Sequence, residues 1–306
     1  IKNLSVWDVA LSDAQIEAYF SSTIDDNEEG LKGYWKFNEG EGVIAYDHSG
    51  NQSHGTIYGE PIWELLIPGC TDPYSDNYNS NANVEDDSCT GYPDNGEYAL
   101  SFDGIDDYVD LGNSSDFDFT NSSFSLTCWV NINSNSWYNN IISKSNNDDK
   151  GWYLALETGN NENNGQITFS GVDETGSNRF ALHSMSEYSL NRWYYIALIF
   201  ENGEQKFYLD GDLVDINDSH PYDLYNVGNN LLIGDGANDY FDGLIDNISI
   251  WDRPLTEDEI MNYRFNSPSM TGEGLMGYWN FNSGGGDILY DHSGNQNHGT
   301  INGALW

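Results

Sequence analysis

The segment WYYIALIFENGEQKFYLDGDLVD, residues 193–215, sets runs of aromatic and β-branched residues on either side of two tight turns, ENGEQ and LDGD. Asn-Gly and Asp-Gly dipeptides between such runs are hairpin turns, because their central residues tolerate positive φ. Working outward, the same reading applies to ALSFDG (99–104), YVDLG (108–112), FSLTCWVNI (124–132), NIISKS (140–145) and GWYLALET (151–158). It extends to GQITFSG (165–171), RFALHS (179–184), LLIGD (231–235) and GLIDNISIWD (243–252). Turn signals recur about every 8 to 12 residues, which is all-β spacing. Helices are expected only at LSDAQIEAYF (11–20) and LTEDEIMNYRF (255–265), each with a Ser or Thr cap, early acidic residues and apolar residues at helical spacing.

The two ends of the chain repeat each other. Residues 1–62 align without gaps to residues 245–306: Ile1 with Ile245, Trp7 with Trp251, Trp35 with Trp279, and Asp47 with Asp291. About half the positions are identical, so the chain reads as one period of about 244 residues plus an overlap, and further periods are expected.

Composition narrows the function classes. Thirty-eight per cent hydrophobic and 14% aromatic residues are enough for a substantial core, so disorder is not expected. A formal charge of −40, from 50 acidic and 10 basic residues, repels nucleic acid and anionic membrane surfaces and favours divalent cations. No apolar run approaches the length of a membrane helix and no leader opens the chain, so any export signal is expected upstream. Cys70 and Cys89 bracket a Gly/Asn/Asp-rich loop and are expected to pair in an oxidising compartment, with Cys128 left as a buried thiol in its apolar strand.

Four motifs together resemble the laminin G-like, concanavalin A-like jelly-roll family of large bacterial surface proteins. GLKGYWKFNEGEGVIAYDHSGNQSHGT (30–56) is similar to its opening strand and loop, and ALSFDGIDDYVDLG (99–112) to its second strand. FSLTCWVNI with RWYYIALIFENGEQKFYLDGDLV (192–214) is similar to its core, and GLIDNISIWDRPLTEDEI (243–260) to its closing strand and helix. The resemblance implies an all-β jelly-roll β-sandwich. Its expected divisions are a closing strand and helix of the preceding repeat (1–30), an opening strand and calcium loop (31–63), and a Cys-bracketed acidic insert or linker (64–96). The sandwich core and trailing helix follow (97–266), then the opening strand and loop of the next repeat (267–306). The segment GCTDPYSDNYNSNANVEDDSC (69–89) resembles thrombospondin type 3-like repeats. Since a strand needs an edge to pair with, 31–63 is expected to reach across the insert to the sandwich that follows; the alternative is that it closes the preceding one.

The resemblance also implies a structural Ca²⁺ that joins the loop after the opening strand to the closing strand, carried by Asp47, Asn51 and Asp246, with Asp291 and Asn295 as duplicates. An Asx-turn without metal is the alternative for this loop. Asp103, Asp106 and Asp107 crowd one turn, where like charges call for a cation or full solvation. In the insert, Asp72, Asp76, Asp86 and Asp87 offer hard oxygens for a second Ca²⁺, without the glycine and closing glutamate of an EF-hand. His48, His54, His292 and His298 lack a nearby Cys or third His, so zinc is not expected. Among the aromatics, Trp137, Tyr138, Trp152, Trp193 and Tyr240 are candidates for a sugar-stacking platform or for core packing.

No paired-carboxylate strand, nucleophile elbow, phosphate loop or zinc helix is present, so catalysis is not expected. Two functions remain: a calcium-binding extracellular structural or adhesive repeat that assembles with neighbouring copies of itself into an array or filament, and a carbohydrate-binding module of a secreted multidomain protein. Partners would be those copies, an extracellular glycan or a surface protein.

Overall fold

Leu126, Cys128 and Val130 alternate with Ser125, Thr127 and Trp129 along the strand Phe124–Ile132, and the first set is wholly buried between two sheets. That alternation, repeated in strand after strand, builds the architecture. The computed structural model describes residues 2–21, 24–59, 62–119, 123–134, 139–145, 151–158, 165–172, 179–184, 188–201, 203–217, 224, 227–236, 239–270 and 272–306. They form two compact units: Ile1–Gly69 with Asn81–Glu85, and Cys70–Ser80 with Asp86–Trp306.

The first unit holds β1 (Leu4–Trp7), α1 (Asp13–Ser21), β2 (Leu31–Trp35), β3 (Ile44–Ala45) and β4 (Gly55–Thr56). Ser12 caps α1: its hydroxyl accepts from the Gln15 N–H, and the Gln15 side chain accepts from the Ser12 N–H. β1 pairs antiparallel with β2, and β3 with β4. Ile24, Leu31 and Tyr34, with Trp7 stacked on Tyr19, make a small core.

The second unit carries the sandwich. Its strands are β5 (Leu100–Asp103), β6 (Tyr108–Asp110), β7 (Phe124–Ile132), β8 (Asn139–Ser145), β9 (Gly151–Thr158), β10 (Gly165–Val172), β11 (Arg179–His183) and β12 (Trp193–Glu201). They continue as β13 (Glu204–Leu209), β14 (Asp212–Asn217), β15 (Leu232–Ile233), β16 (Asp242–Trp251), β17 (Leu275–Trp279), β18 (Ile288–Leu289) and β19 (Gly299–Asn302), with α2 (Glu257–Tyr263) before β17. One sheet has the order β11-β10-β9-β8-β15-β6-β19-β18, and the other β14-β13-β12-β7-β16-β17, with β5 also on β16. The LDGD turn joins β13 to β14 with Asp210 and Gly211 both at positive φ, 55° and 90°, which gives the hairpin the hand of its strands.

The core lies between the sheets and includes Leu154, Leu156, Ile196, Leu198, Ile248, Ile250 and Trp279. Alternate residues of the smaller sheet, Tyr195, Ala197, Ile199 and Trp251, face outward beneath Ile260 of α2. Thr256 and Glu259 close a full capping box at the start of that helix, and Arg253 ties Glu259 to the strand end at 2.7 Å. Among the described residues no helix is long and apolar enough to cross a membrane.

One expectation is corrected. The opening strand at 31–63 was assigned to the sandwich that follows it, and 267–306 to the next repeat; instead β2 pairs with β1, and β17 pairs with β16 through Ile248–Trp279 and Ser249–Tyr278. β5 covers only Asp242–Ile245 on that side of β16, so the stretch Ile248–Trp251 is an open edge, filled by the strand that next follows in the chain. The segment 275–306 thereby completes the sandwich before it, adding β17 to one sheet and β18 and β19 to the other. The expected disulfide Cys70–Cys89 is present, and Cys128 is a buried thiol whose pKa burial raises.

Candidate functional site

Phe102 and Val109 are core residues, and they pin the two ends of the β5–β6 connection, which passes from one sheet to the other and leaves Asp103–Asp106 exposed. Within the turn the Asp103 carboxylate accepts from the Ile105 N–H at 2.8 Å, and that of Asp107 accepts from the Asp103 N–H at 2.9 Å. Carboxylate oxygens of Asp103, Asp106 and Asp107 then lie within 4.8 Å of one another. Asp107 is buried, and burial together with the charges of Asp103 and Asp106 outweighs the backbone hydrogen bond and raises its pKa. Gly303 packs against it: a Cβ there would stand 2.0 Å from Asp107 Oδ1, at a φ of +81° that a side chain resists. Three hard oxygen donors whose mutual repulsion is already registered on one of them suit Ca²⁺ better than any softer metal.

The loops expected to hold calcium are organised by backbone hydrogen bonds. Asp47 accepts N–H bonds from Tyr34, Ser49 and Ser53 at 2.8–2.9 Å, which hold its carboxyl below the usual range against the pull of burial. Asp291, fully buried, accepts from the N–H groups of Tyr278, Ser293 and Asn297 and from the Ser293 hydroxyl. Asn51 and Asn295 turn their amide donors to the carbonyls of Leu31 and Leu275. These residues tie loop to strand by hydrogen bonds. Asp246 lies in the other unit from Asp47 and Asn51. Its Oδ1 is buried without a partner, and burial pushes its pKa up to about 7 despite hydrogen bonds from Asn247.

In the Cys-bracketed segment Asp76, Asp86 and Asp87 are exposed, whereas Asp72 is buried and engaged. Its carboxylate accepts from the Tyr92 hydroxyl at 2.5 Å and the Tyr74 N–H at 2.9 Å, and meets His298 Nε2 at 2.6 Å. Although burial opposes it, these bonds hold the Asp72 carboxyl below its ordinary value. Tyr74 and Tyr92 pack on Tyr290 and His298, so the segment is docked on the loop that follows β17. These aromatics were not legible in the sequence because their partners lie roughly 200 positions away.

A fourth feature is the face of the larger sheet turned away from the core. Leu154, Leu156, Ile167, Phe169 and Leu182 point inward, so their neighbours Tyr153, Glu157, Gln166, Thr168, Ser170 and His183 point outward. The Thr168 hydroxyl, itself buried, lies 2.9 Å from Nδ1 of His183 directly opposite and 3.4 Å from Oε2 of Glu157 on the diagonal, giving a carboxylate, a hydroxyl and an imidazole in one cross-strand cluster. Of the aromatics named from sequence, Trp152 is core, Tyr240 stands near Asp106, and Trp137 and Tyr138 lie outside the described residues.

The profile of the concanavalin A-like lectin/glucanases superfamily matches residues 103–261, more than half of the chain. A Bacteroides ovatus structure with a provisional carbohydrate-binding assignment aligns with a TM-score of 0.51 at 16% identity, over 75% of this chain and 64% of that one. The chain therefore spans less than two thirds of that relative. The sialyllactose-bound CBM40 module of a Ruminococcus gnavus IT-sialidase aligns at 0.46 and 13% identity, over 54% of this chain and 95% of that one. Domain 4 of the extracellular arabinanase AbnA from Geobacillus stearothermophilus, in complex with arabinotriose, aligns at 0.43 and 17%, over 58% and 84%. No curated protein sequence matches the chain.

Proposed function

We propose that this chain, which belongs to the concanavalin A-like lectin/glucanases superfamily, is a non-catalytic carbohydrate-binding module of an extracellular protein, stabilised by Ca²⁺ at its β5–β6 loop. The half-buried Glu157 and His183, both held by the buried Thr168 hydroxyl, carry the reading. Sugar hydroxyls are recognised by convergent donors and acceptors on a rigid support, and a sheet face with half-buried Tyr153, Glu157, Gln166 and His183 offers both kinds beside an aromatic ring. The fold shared with the Bacteroides ovatus protein and the Cys70–Cys89 disulfide support the class and an oxidising, extracellular setting.

Asp103, Asp106 and Asp107 would hold the cation. When bound, Ca²⁺ supplies positive charge that offsets the repulsion among the three carboxylates. Asp103 orders the turn through the Ile105 N–H, and Gly303 keeps the approach to Asp107 open. Affinity electrophoresis of the full chain through gels that contain soluble polysaccharides tests the glycan reading. Retardation by at least one polysaccharide, reduced in Glu157→Gln and His183→Ala, is expected; unretarded migration in all gels counts against it.

The duplicated ends favour a second reading, assembly with neighbouring copies. Leu4 and Val6 of β1 are 46% and 48% exposed, whereas their counterparts Ile248 and Ile250 are wholly buried under the sandwich. The β1–β2 pair presents the apolar face that β16–β17 covers, which suits docking on a sandwich of another copy.

A further inference from the structure

The loop that follows β2 and the loop that follows β17 are near-identical: Tyr46–Ile57 and Tyr290–Ile301 differ only at Ser53 and Asn297. Their internal geometry is also the same. The His48 N–H donates to the Tyr34 carbonyl and the His292 N–H to that of Tyr278, both at 2.6 Å. Gln52 and Gln296 share a left-handed φ, 58° and 59°. The Tyr46 and His54 rings meet edge-on at 5.4 Å, and those of Tyr290 and His298 at 5.9 Å.

In both loops the second histidine is held in one tautomer. His298 Nδ1 accepts from the Asp291 N–H at 2.9 Å, so the ring proton is on Nε2 and donates to Asp72. His54 Nδ1 accepts in the same way from the Asp47 N–H at 3.0 Å, which leaves its Nε2–H for an acceptor outside the loop. Occupancy is what differs. On the C-terminal loop, Asp72 takes the His298 proton, Tyr92 packs against His292 and His298 at 5.3 and 5.2 Å, and Tyr74 against Tyr290 at 5.9 Å. On the N-terminal loop Tyr46 is 49% exposed and His54 is exposed, with no such partner among the described residues.

We infer that the Tyr46–Ile57 loop is a second docking site for the Cys70–Cys89 segment, received from another copy of this chain, with the partner aspartate on His54 and its two tyrosines on Tyr46 and His48. The contact goes beyond glycan binding. It is also separable from docking of the β1–β2 face, since it uses only the loop, and its failure would leave both other readings standing. Within one chain the segment meets its own C-terminal loop at an effective concentration on the order of 1 mM, so exchange between copies is suppressed until that contact is weakened.

Tyr290→Ala removes the ring on which Tyr74 and Tyr92 pack while leaving the Asp291 hydrogen bonds in place. A weakening of roughly tenfold to thirtyfold would make the contact between copies competitive at about 100 µM. Sedimentation equilibrium of the full chain is expected to show Tyr290→Ala with a weight-average mass at least half again that of the monomer at about 100 µM, and Tyr46→Ala/Tyr290→Ala monomeric throughout. The pair His298→Ala and His54→Ala/His298→Ala is a second route should the tyrosine variant fail to fold. Folded single variants that stay monomeric, or association that the added N-terminal substitution leaves intact, overturn the inference.

Discussion

Trp35 and Trp279 occupy matching positions of the repeat, and their replacement by alanine should have unequal effects. Trp279 is fully buried; its ring covers Gly277, meets Phe117 at 6.1 Å, and its Nε1–H donates to the Asn297 carbonyl at 2.9 Å. Trp→Ala in a packed core costs about 3–5 kcal/mol, and the stranded carbonyl adds about 1 kcal/mol. Trp35 makes the same bond, to the Ser53 carbonyl at 3.1 Å, but is only half-buried, so its replacement should cost about half as much. At roughly 2–4 °C per kcal/mol for a unit of this size, Trp279→Ala should lower the sandwich melting temperature by about 8–24 °C. Thermal unfolding by circular dichroism gives the shift, and hydrogen exchange by mass spectrometry assigns it to peptides of the sandwich. A loss under about 3 °C for Trp279→Ala, or one no larger than for Trp35→Ala, would refute the assignment of β17 to this sandwich.

Calcium should raise the melting temperature of the wild-type chain and leave Asp103→Asn/Asp106→Asn/Asp107→Asn unmoved, with about 2.7 kcal/mol gained at a hundredfold excess over Kd; equal shifts in differential scanning calorimetry would discard the β5–β6 loop site. Reducing the Cys70–Cys89 bond, which spans a separation of 19, should cost about 3 kcal/mol and raise hydrogen exchange in 70–92 before the core responds. The pH profile divides by sign. His292 is pushed by burial from 6.5 to about 4, so its stabilisation is complete above about 6.5 and is lost, by about 3 kcal/mol, as pH falls towards 4. Asp246 is pushed by burial from 3.8 up to about 7, so its contribution is complete below about 3.8 and is lost as pH rises through 7. Asp246→Asn should therefore stabilise the chain at about pH 8 and do little at about pH 4 in urea titrations; the reverse order would contradict the burial of that carboxylate.

The strands were legible because alternation is local: Phe124–Ile132 and Gly151–Thr158 run as the sequence set their limits. The partner of a strand is not local, and Leu31–Trp35 was given to the sandwich beyond the insert when the free edge of the strand before it was nearer. The crowded acids at 103–107 were visible as a cluster, since a turn keeps neighbours together. The backbone N–H groups that Asp47 and Asp291 accept from were not, because the spelling of an acid does not say which N–H groups the fold will bring to it. Asp72 was seen as one acid among several, and its contact with His298 arises only when the fold brings the two together.

The most direct test of the central claim is a glycan array probed with the labelled full chain in Ca²⁺ and in chelator. The expected result is a discrete set of bound glycans in Ca²⁺, with signals that fall for Glu157→Gln and His183→Ala. An array silent in both conditions, or one whose signals ignore those substitutions, would contradict it.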